Sequence, residues 1–350
     1  MLTLTPPYCL FLGDVPTMTY AKTALGIVQW APDACVSQLR FPGCPIDTGL
    51  PDSDIQQAIA AGAKSLVIGS APVGGEIQDN WIPVLIEALQ AGMDIISGLH
   101  TRLNDMPALL AAAQQSGARL IDVRVAPENL PIANGSKRTG KRLLTVGTDC
   151  SVGKKYTAMA ISQQLKAQQV ACDFRATGQT GIMIAGCGIP IDAVVADFIA
   201  GAAETLSPAN TDQHWDIIEG QGSLFQPAYA GVSLGLLHGS QPDAIVVCHD
   251  PGREHIVGCP DHRLPSINTC IDTNLQLARL TNPAVVCVGV SVNTSTLAAD
   301  QRRLLLEQLQ QQTGLPCVDP LIEGVNPIVE RLLSLTPAGA TTTAEAEVAE

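Results

Sequence analysis

A chain of 350 residues, 46% of them hydrophobic, has room for two domains that each bury a core of their own. Its net charge of −13, with no basic stripe, argues against nucleic acid as a partner. No run approaches the roughly 20 uninterrupted apolar residues of a membrane span, and the N-terminus lacks a secretory signal's basic start and cleavage site, so a cytoplasmic protein is expected.

The first third alternates strand and helix signals. Tyr8–Leu12 reads as a strand, Ala21–Val28 and Asp52–Ala61 as helices, and Ser65–Ile68 as a buried strand opening into a glycine-rich loop at 69–75. Asp79–Gln90 carries an apolar helical stripe at Ile82, Leu85, Ile86 and Leu89. The strand Asp94–Ser97, the loop Gly98-Leu99-His100, the helix Pro107–Gln115 and the strand Arg119–Val123 complete a βαβα rhythm, which predicts a parallel sheet covered by helices, a Rossmann-like domain over 1–124. The 69–75 loop does not complete a dinucleotide fingerprint, so it is either a ligand edge or a simple turn. Residues 125–141, polar and rich in Pro and Gly, predict a linker.

A second α/β domain is expected over 142–335, followed by an acidic, disordered tail at 336–350. It opens with Leu143–Val146, an apolar strand, then the loop Gly147-Thr-Asp-Cys-Ser-Val-Gly153, then Lys154-Lys155 and a helical stretch from Tyr156. Strand, glycine loop, lysine and helix make a phosphate-binding loop, where backbone N–H groups and a helix N-terminus face an anion. The cofactor-binding candidates are therefore Gly147, Thr148, Cys150, Ser151, Val152, Gly153, Lys154 and Lys155. The loop length resembles that of dethiobiotin synthetases. However, Lys155 stands where a Ser or Thr usually holds magnesium, and an ammonium would repel that ion.

Further strands are expected at Val170–Ala176, Trp215–Ile218, Ala244–Cys248, Val285–Val290 and Pro316–Asp319, with helices at Asp192–Thr205, Thr296–Thr313 and Asn326–Leu333. In a doubly wound sheet the strand ends form one edge, so loops 147–155, 177–181, 219–223 and 249–253 should converge. Glu219, at a strand end, reads as a base, a metal ligand or a tie for the neighbouring loop. Asp149 could align Lys154, accept a proton or merely shape the loop. Asp197 sits in an apolar run and is a base or a structural hydrogen-bonding group, while Asp192 resembles a helix N-cap. Arg175 and Arg253 could clamp a substrate carboxylate, and His249 stands at a strand end beside Asp250. Eleven cysteines include no Cys-x-x-Cys pair and six histidines show no metal-ligand spacing, so reduced core thiols and no metal are expected.

Loops 146–155, 176–184, 197–204 and 218–224, with Ala21-Lys-Thr-Ala24 and Ser97-Gly-Leu-His100, together resemble one family. It is the two-domain, P-loop-containing family, long labelled as of unknown function, that includes the D-glutamate N-acetyltransferases. The resemblance implies acetyl-CoA as donor, the amine of an acidic D-amino acid, D-glutamate first, as acceptor, and a role in D-amino acid catabolism. A homo-oligomer is expected as well. The phosphate loop would then hold a phosphate of coenzyme A without hydrolysing it. Glu219 or Asp197, with Asp149 as a further candidate, would be the base. Gln179, Gln221, Ser223 and His249 would line the acceptor site, with Arg175 and Arg253 on its carboxylates. The competing readings are an ATP- and magnesium-dependent ligase or kinase of the dethiobiotin synthetase type, and a non-catalytic nucleotide- or CoA-binding protein.

Overall fold

A computed structural model describes residues 1–335; the expected tail at 336–350 lies outside the described residues. Two parallel sheets organise the chain. The first has five strands in the spatial order Cys35–Arg40, Tyr8–Gly13, Ser65–Ile68, Asp94–Ser97, Leu120–Asp122. By chain position this is the order 2-1-3-4-5 of flavodoxin-like sheets. The second has six strands in the order Cys317–Val318, Val286–Val292, Ala244–His249, Lys141–Gly147, Trp215–Ile218, Cys172–Arg175. The phosphate-loop strand Lys141–Gly147 lies between Ala244–His249 and Trp215–Ile218, so its C-terminal end opens at the middle of the sheet edge.

Several elements depart from the expectations. Cys35–Arg40 is a strand although it carries Ser37 and Gln38, both fully buried. The Gln38 amide is satisfied by a distant turn: it donates to Asp47 Oδ1 at 2.8 Å and accepts from Thr48 N and Oγ1. Hydrophobic periodicity cannot register a polar residue whose partners come from elsewhere. The expected helix Asp192–Thr205 is two short 3-10 turns, Ile191–Ala193 and Ala196–Phe198, before a helix that starts at Ile199. The supposed loop residues 179–181 begin a helix, Gln179–Ala185, and the helix Ile267–Ala278 carried no sequence expectation.

Residues 125–140 have no regular structure, yet they are fastened to the P-loop domain. Arg138 donates to the carbonyls of Ser207 and Gly239, both at 2.8 Å, and Glu204 accepts from the amides of Asn134 and Gly135. The fully buried Arg142 donates to Ser207 Oγ and to five backbone carbonyls between 138 and 208.

The two sheets are joined by a shared apolar core. Ile182, Met183 and Ile184 of the helix Gln179–Ala185 cluster with Tyr8, Leu10, Ala24 and Ile27 of the first domain. The N-terminal Leu2–Thr3 pairs with Cys187–Gly188, so the chain's first strand belongs to the second domain's surface. Trp30 stacks on Tyr156 at 6.0 Å between ring centroids. The first domain is thereby held over the C-terminal edge of the six-stranded sheet. No helix among the described residues is long and apolar enough to cross a membrane.

Candidate active site

The phosphate loop owes its shape to close packing beneath it. Val152 is buried, and a Cβ on Gly147 would come within 2.7 Å of its side chain, so only glycine fits where the strand ends. Ser151 and Gly153 take left-handed φ values of 54° and 99°, which turn successive amides toward one side. The helix Lys154–Ala167 then starts without a side-chain cap, leaving its first amides free for an anion. Lys154 is almost completely buried and donates to Asp149 O at 2.7 Å; burial pushes its pKa down. The Lys155 ammonium sits 4.4 Å above the Tyr156 ring, itself stacked on Trp30, so the domain junction fixes that charge.

Facing the loop is a cavity of about 500 Å³ lined by the loop's Cys150, Ser151 and Gly153–Tyr156, by Gly178–Thr180, and by Glu219–Gly222. Glu219 is the carboxylate at its floor. It is buried, and its Oε2 accepts from Thr177 N at 2.9 Å and Gly178 N at 3.0 Å. A side chain on Gly181 would collide with this carboxylate, and one on Gly220 with the Thr145 carbonyl. Desolvation raises the Glu219 pKa, opposed by those two amides and by Lys155. A carboxylate with a raised pKa facing a cavity is suited to taking a proton near neutral pH. Gln221 lies alongside and donates to Thr177 Oγ1 at 3.0 Å.

Three of the four expected loops face the cavity; the fourth, 249–253, buttresses the phosphate loop from behind. Arg253 donates to the Cys150 and Ser151 carbonyls at 2.9 and 3.0 Å and pairs with Asp149 and Asp250. Asp149 is fully buried, accepting from Cys150 N at 2.6 Å and Val257 N at 2.7 Å, so it shapes the loop and does not line the cavity. His249 shares a 3.1 Å hydrogen bond with Thr148 Oγ1, again behind the loop, and burial lowers its pKa. Ser223 donates to Gly147 O, tying the two loops together.

Arg175 lies elsewhere, bonded to Asp216 at 2.8 Å and Asp173 at 2.9 Å. Among the described residues the one group with metal-ligand spacing, Asp173, His214 and Asp216, is this same cluster, and the Arg175 guanidinium sits on its carboxylates. Asp197, expected in apolar surroundings, is exposed on the Ala196–Phe198 turn and does not line the cavity. Asp192 caps no helix; it lies on the cavity wall. Of the expected site residues, Glu219, Gln179, Gln221, Cys150, Ser151 and Gly153–Lys155 are brought together on the cavity, whereas Gly147, Thr148 and Val152 are buried and do not line it. Sequence reasoning missed Tyr156 and Tyr229 on the wall and reached Thr180 only as part of the loop 177–181. Of the two tyrosines, only Tyr156, directly after Lys155, offered a signal.

This arrangement defines a class: a Rossmann-like α/β domain set over a P-loop domain whose anion loop faces a buried carboxylate. Residues 43–126 match the Rossmann-like domain DUF1611_N and residues 131–329 the P-loop domain DUF1611_C, both described as domains of unknown function, and the chain belongs to this two-domain DUF1611 family. It is similar to a protein of Tritonibacter scottomollicae named D-glutamate N-acetyltransferase, at 50% identity over 94% of this chain and 99% of that one. A Pseudoalteromonas protein of the same name is also 50% identical, over 93% of this chain and 98% of its own length. The crystal structure of a DUF1611 family protein from Anabaena variabilis superposes with a TM-score of 0.80 at 32% identity, covering 94% of this chain and all of that one.

Proposed function

We propose that this chain is a D-glutamate N-acetyltransferase that moves the acetyl group of acetyl-CoA to the amine of D-glutamate. One observation carries the chemistry: a single cavity sets an anion cradle, 150–155, opposite one buried carboxylate, Glu219. The relatives' shared name, at 50% identity over nearly the whole chain, supports the choice of reaction.

The loop amides, Lys154 and Lys155 would hold a phosphate of coenzyme A. With an ammonium at position 155, the loop has no hydroxyl there for magnesium, which suits binding a phosphate without transferring it. Acetyl-CoA bound there supplies an activated thioester. The acceptor's amine is mostly protonated near neutral pH and must lose a proton before it attacks the thioester carbonyl. Glu219 takes that proton. The amides of Gln221 and Gly222, in the loop that lines the cavity, would be the donors to the charge that develops on the carbonyl oxygen, since those of Glu219 and Gly220 already donate to Arg175 O and Thr145 Oγ1. As the C–S bond breaks, the nitrogen gives up its second proton to the departing thiolate, so CoA leaves as the free thiol and the amine becomes an amide. A cytoplasmic location, a place in D-amino acid catabolism and a homo-oligomeric state complete this reading.

The test is release of free CoA, followed with a thiol reagent while D- and L-glutamate are offered with acetyl-CoA. D-glutamate should stimulate release without added magnesium. If no acidic amino acid does so, the reading fails. ADP formation from Mg-ATP would replace it with a ligase or kinase of the dethiobiotin synthetase type, and binding without turnover with a non-catalytic protein.

A further inference from the structure

We propose that the carboxylates of the acidic acceptor are held by Arg102 and Arg124 of the first domain, in a recess beside the phosphate-loop cavity. This rests on the reading above that the acceptor is an acidic amino acid. The recess, about 240 Å³, lies at the C-terminal ends of the strands Asp94–Ser97 and Leu120–Asp122, the edge where open α/β sheets bind ligands. Its walls include His100, Arg102, Asp122 and Arg124 from the first domain and Asp192 from the second.

The charges there are available. The Arg102 side chain makes no hydrogen bond or ion pair among the described residues, and it is exposed. Arg124 is oriented by donating its Nε to Gly98 O at 2.7 Å, which leaves most of its guanidinium fork uncommitted. Its Nη1 is 4.0 Å from Asp192 Oδ2, a loose contact. Asp122 is held back from the recess by its own bonds, its oxygens accepting from the amides of Leu103 and Asn104 and from Asn104 Nδ2. By contrast, both arginines expected to bind substrate, Arg175 and Arg253, are committed to carboxylates. In a chain with 33 acidic and 20 basic residues, this recess sets Arg102 and Arg124 against Asp122 and Asp192, a balance in which the Arg102 side chain has no partner among the described residues and Arg124 only a Gly98 carbonyl and a 4.0 Å contact.

Asp192 lines both this recess and the cavity that holds Glu219, so it is their common wall. Two guanidinium groups on one side and a carboxylate at the passage match an amino dicarboxylate: acid groups on the arginines, ammonium at Asp192, facing Glu219. The first domain would therefore select the acceptor, while the second holds the donor and the base.

The experiment uses full-length protein and two readouts: calorimetric binding of D-glutamate, and the KM for D-glutamate, D-glutamine and acetyl-CoA. Arg102→Gln removes a charge with no internal partner, so the fold should survive. It should weaken D-glutamate binding at least tenfold and raise its KM similarly, leaving the acetyl-CoA KM within twofold and narrowing the preference for glutamate over glutamine. Arg102→Glu should be worse, and Arg124→Lys should retain part of the binding. If wild type acetylates D-glutamate while all three variants keep its Kd and KM, the subsite assignment is overturned and the proposed reaction stands. If wild type binds D-glutamate in an Arg102-dependent way but acetylates nothing, the subsite stands and the reaction falls.

Discussion

Replacing Glu219 with Gln separates chemistry from architecture at this site. The carboxylate accepts two backbone hydrogen bonds through one oxygen, and the Gln carbonyl can accept the same two, so loop 177–178 keeps its tie. What is lost is the ability to take a proton. A positioned general base contributes about 10²–10⁴-fold, roughly 3–5 kcal/mol of barrier, so kcat should fall by that factor while the KM for acetyl-CoA changes little. The pH–rate profile adds a second readout. Burial raises the Glu219 pKa, so wild-type activity should rise with pH along a limb displaced above the ordinary carboxylate range, and the variant should lose that limb. Stability should move the other way. Because the folded pKa lies above the unfolded value of about 4.3, the native state holds this proton more tightly, and the fold loses stability as pH rises between the two values. Glu219→Gln carries no such loss, so its Tm should exceed that of wild type at neutral pH, the gap closing below the unfolded pKa. Steady-state kinetics and thermal melts across pH suffice. A fall in kcat of less than threefold, or an acid limb that survives unchanged, would refute Glu219 as the base.

Lys154→Ala should raise the KM for acetyl-CoA about tenfold with a smaller effect on kcat; the reverse pattern would mean that the loop takes part in chemistry. Arg253→Ala removes charged hydrogen bonds to two loop carbonyls and should cost about 2–3 kcal/mol in denaturant unfolding, together with weaker acetyl-CoA binding and an unchanged KM for D-glutamate. An altered D-glutamate KM alone would place Arg253 on the acceptor after all. Gly181→Ala forces a methyl against Glu219 and should destabilise by about 1–3 kcal/mol while lowering kcat; wild-type kinetics in this variant would show that the carboxylate can move without consequence.

The alternation of strands and helices was legible in the sequence where local signals carry it, although the strand Cys35–Arg40 and the helices Gln179–Ala185 and Ile267–Ala278 were not. The apolar run before Gly147, the glycine spacing and the two lysines announce an anion loop, and βα alternation announces parallel sheets. The position of Glu219 followed from the same rule, since it ends a strand beside that loop. Where side chains point was not legible. For Asp149, inside the loop, chemistry and loop shaping both stood open, and Arg253 read as a clamp; only the fold reveals that they pair with each other, Asp149 accepting from backbone amides and Arg253 donating to loop carbonyls. Arg175 has the composition of a clamp, and its partner Asp216, 41 residues away, neutralises it. Conversely, Asp192 looked like a helix cap until the chain turned twice before Ile199 and left it on the wall between two cavities. The sequence alone determined the class, a two-domain α/β protein with an anion-binding loop, through local and periodic signals. Which charges are spent on structure and which remain for a ligand was decided only by tertiary contacts, because neutralisation depends on distances between residues far apart in the chain.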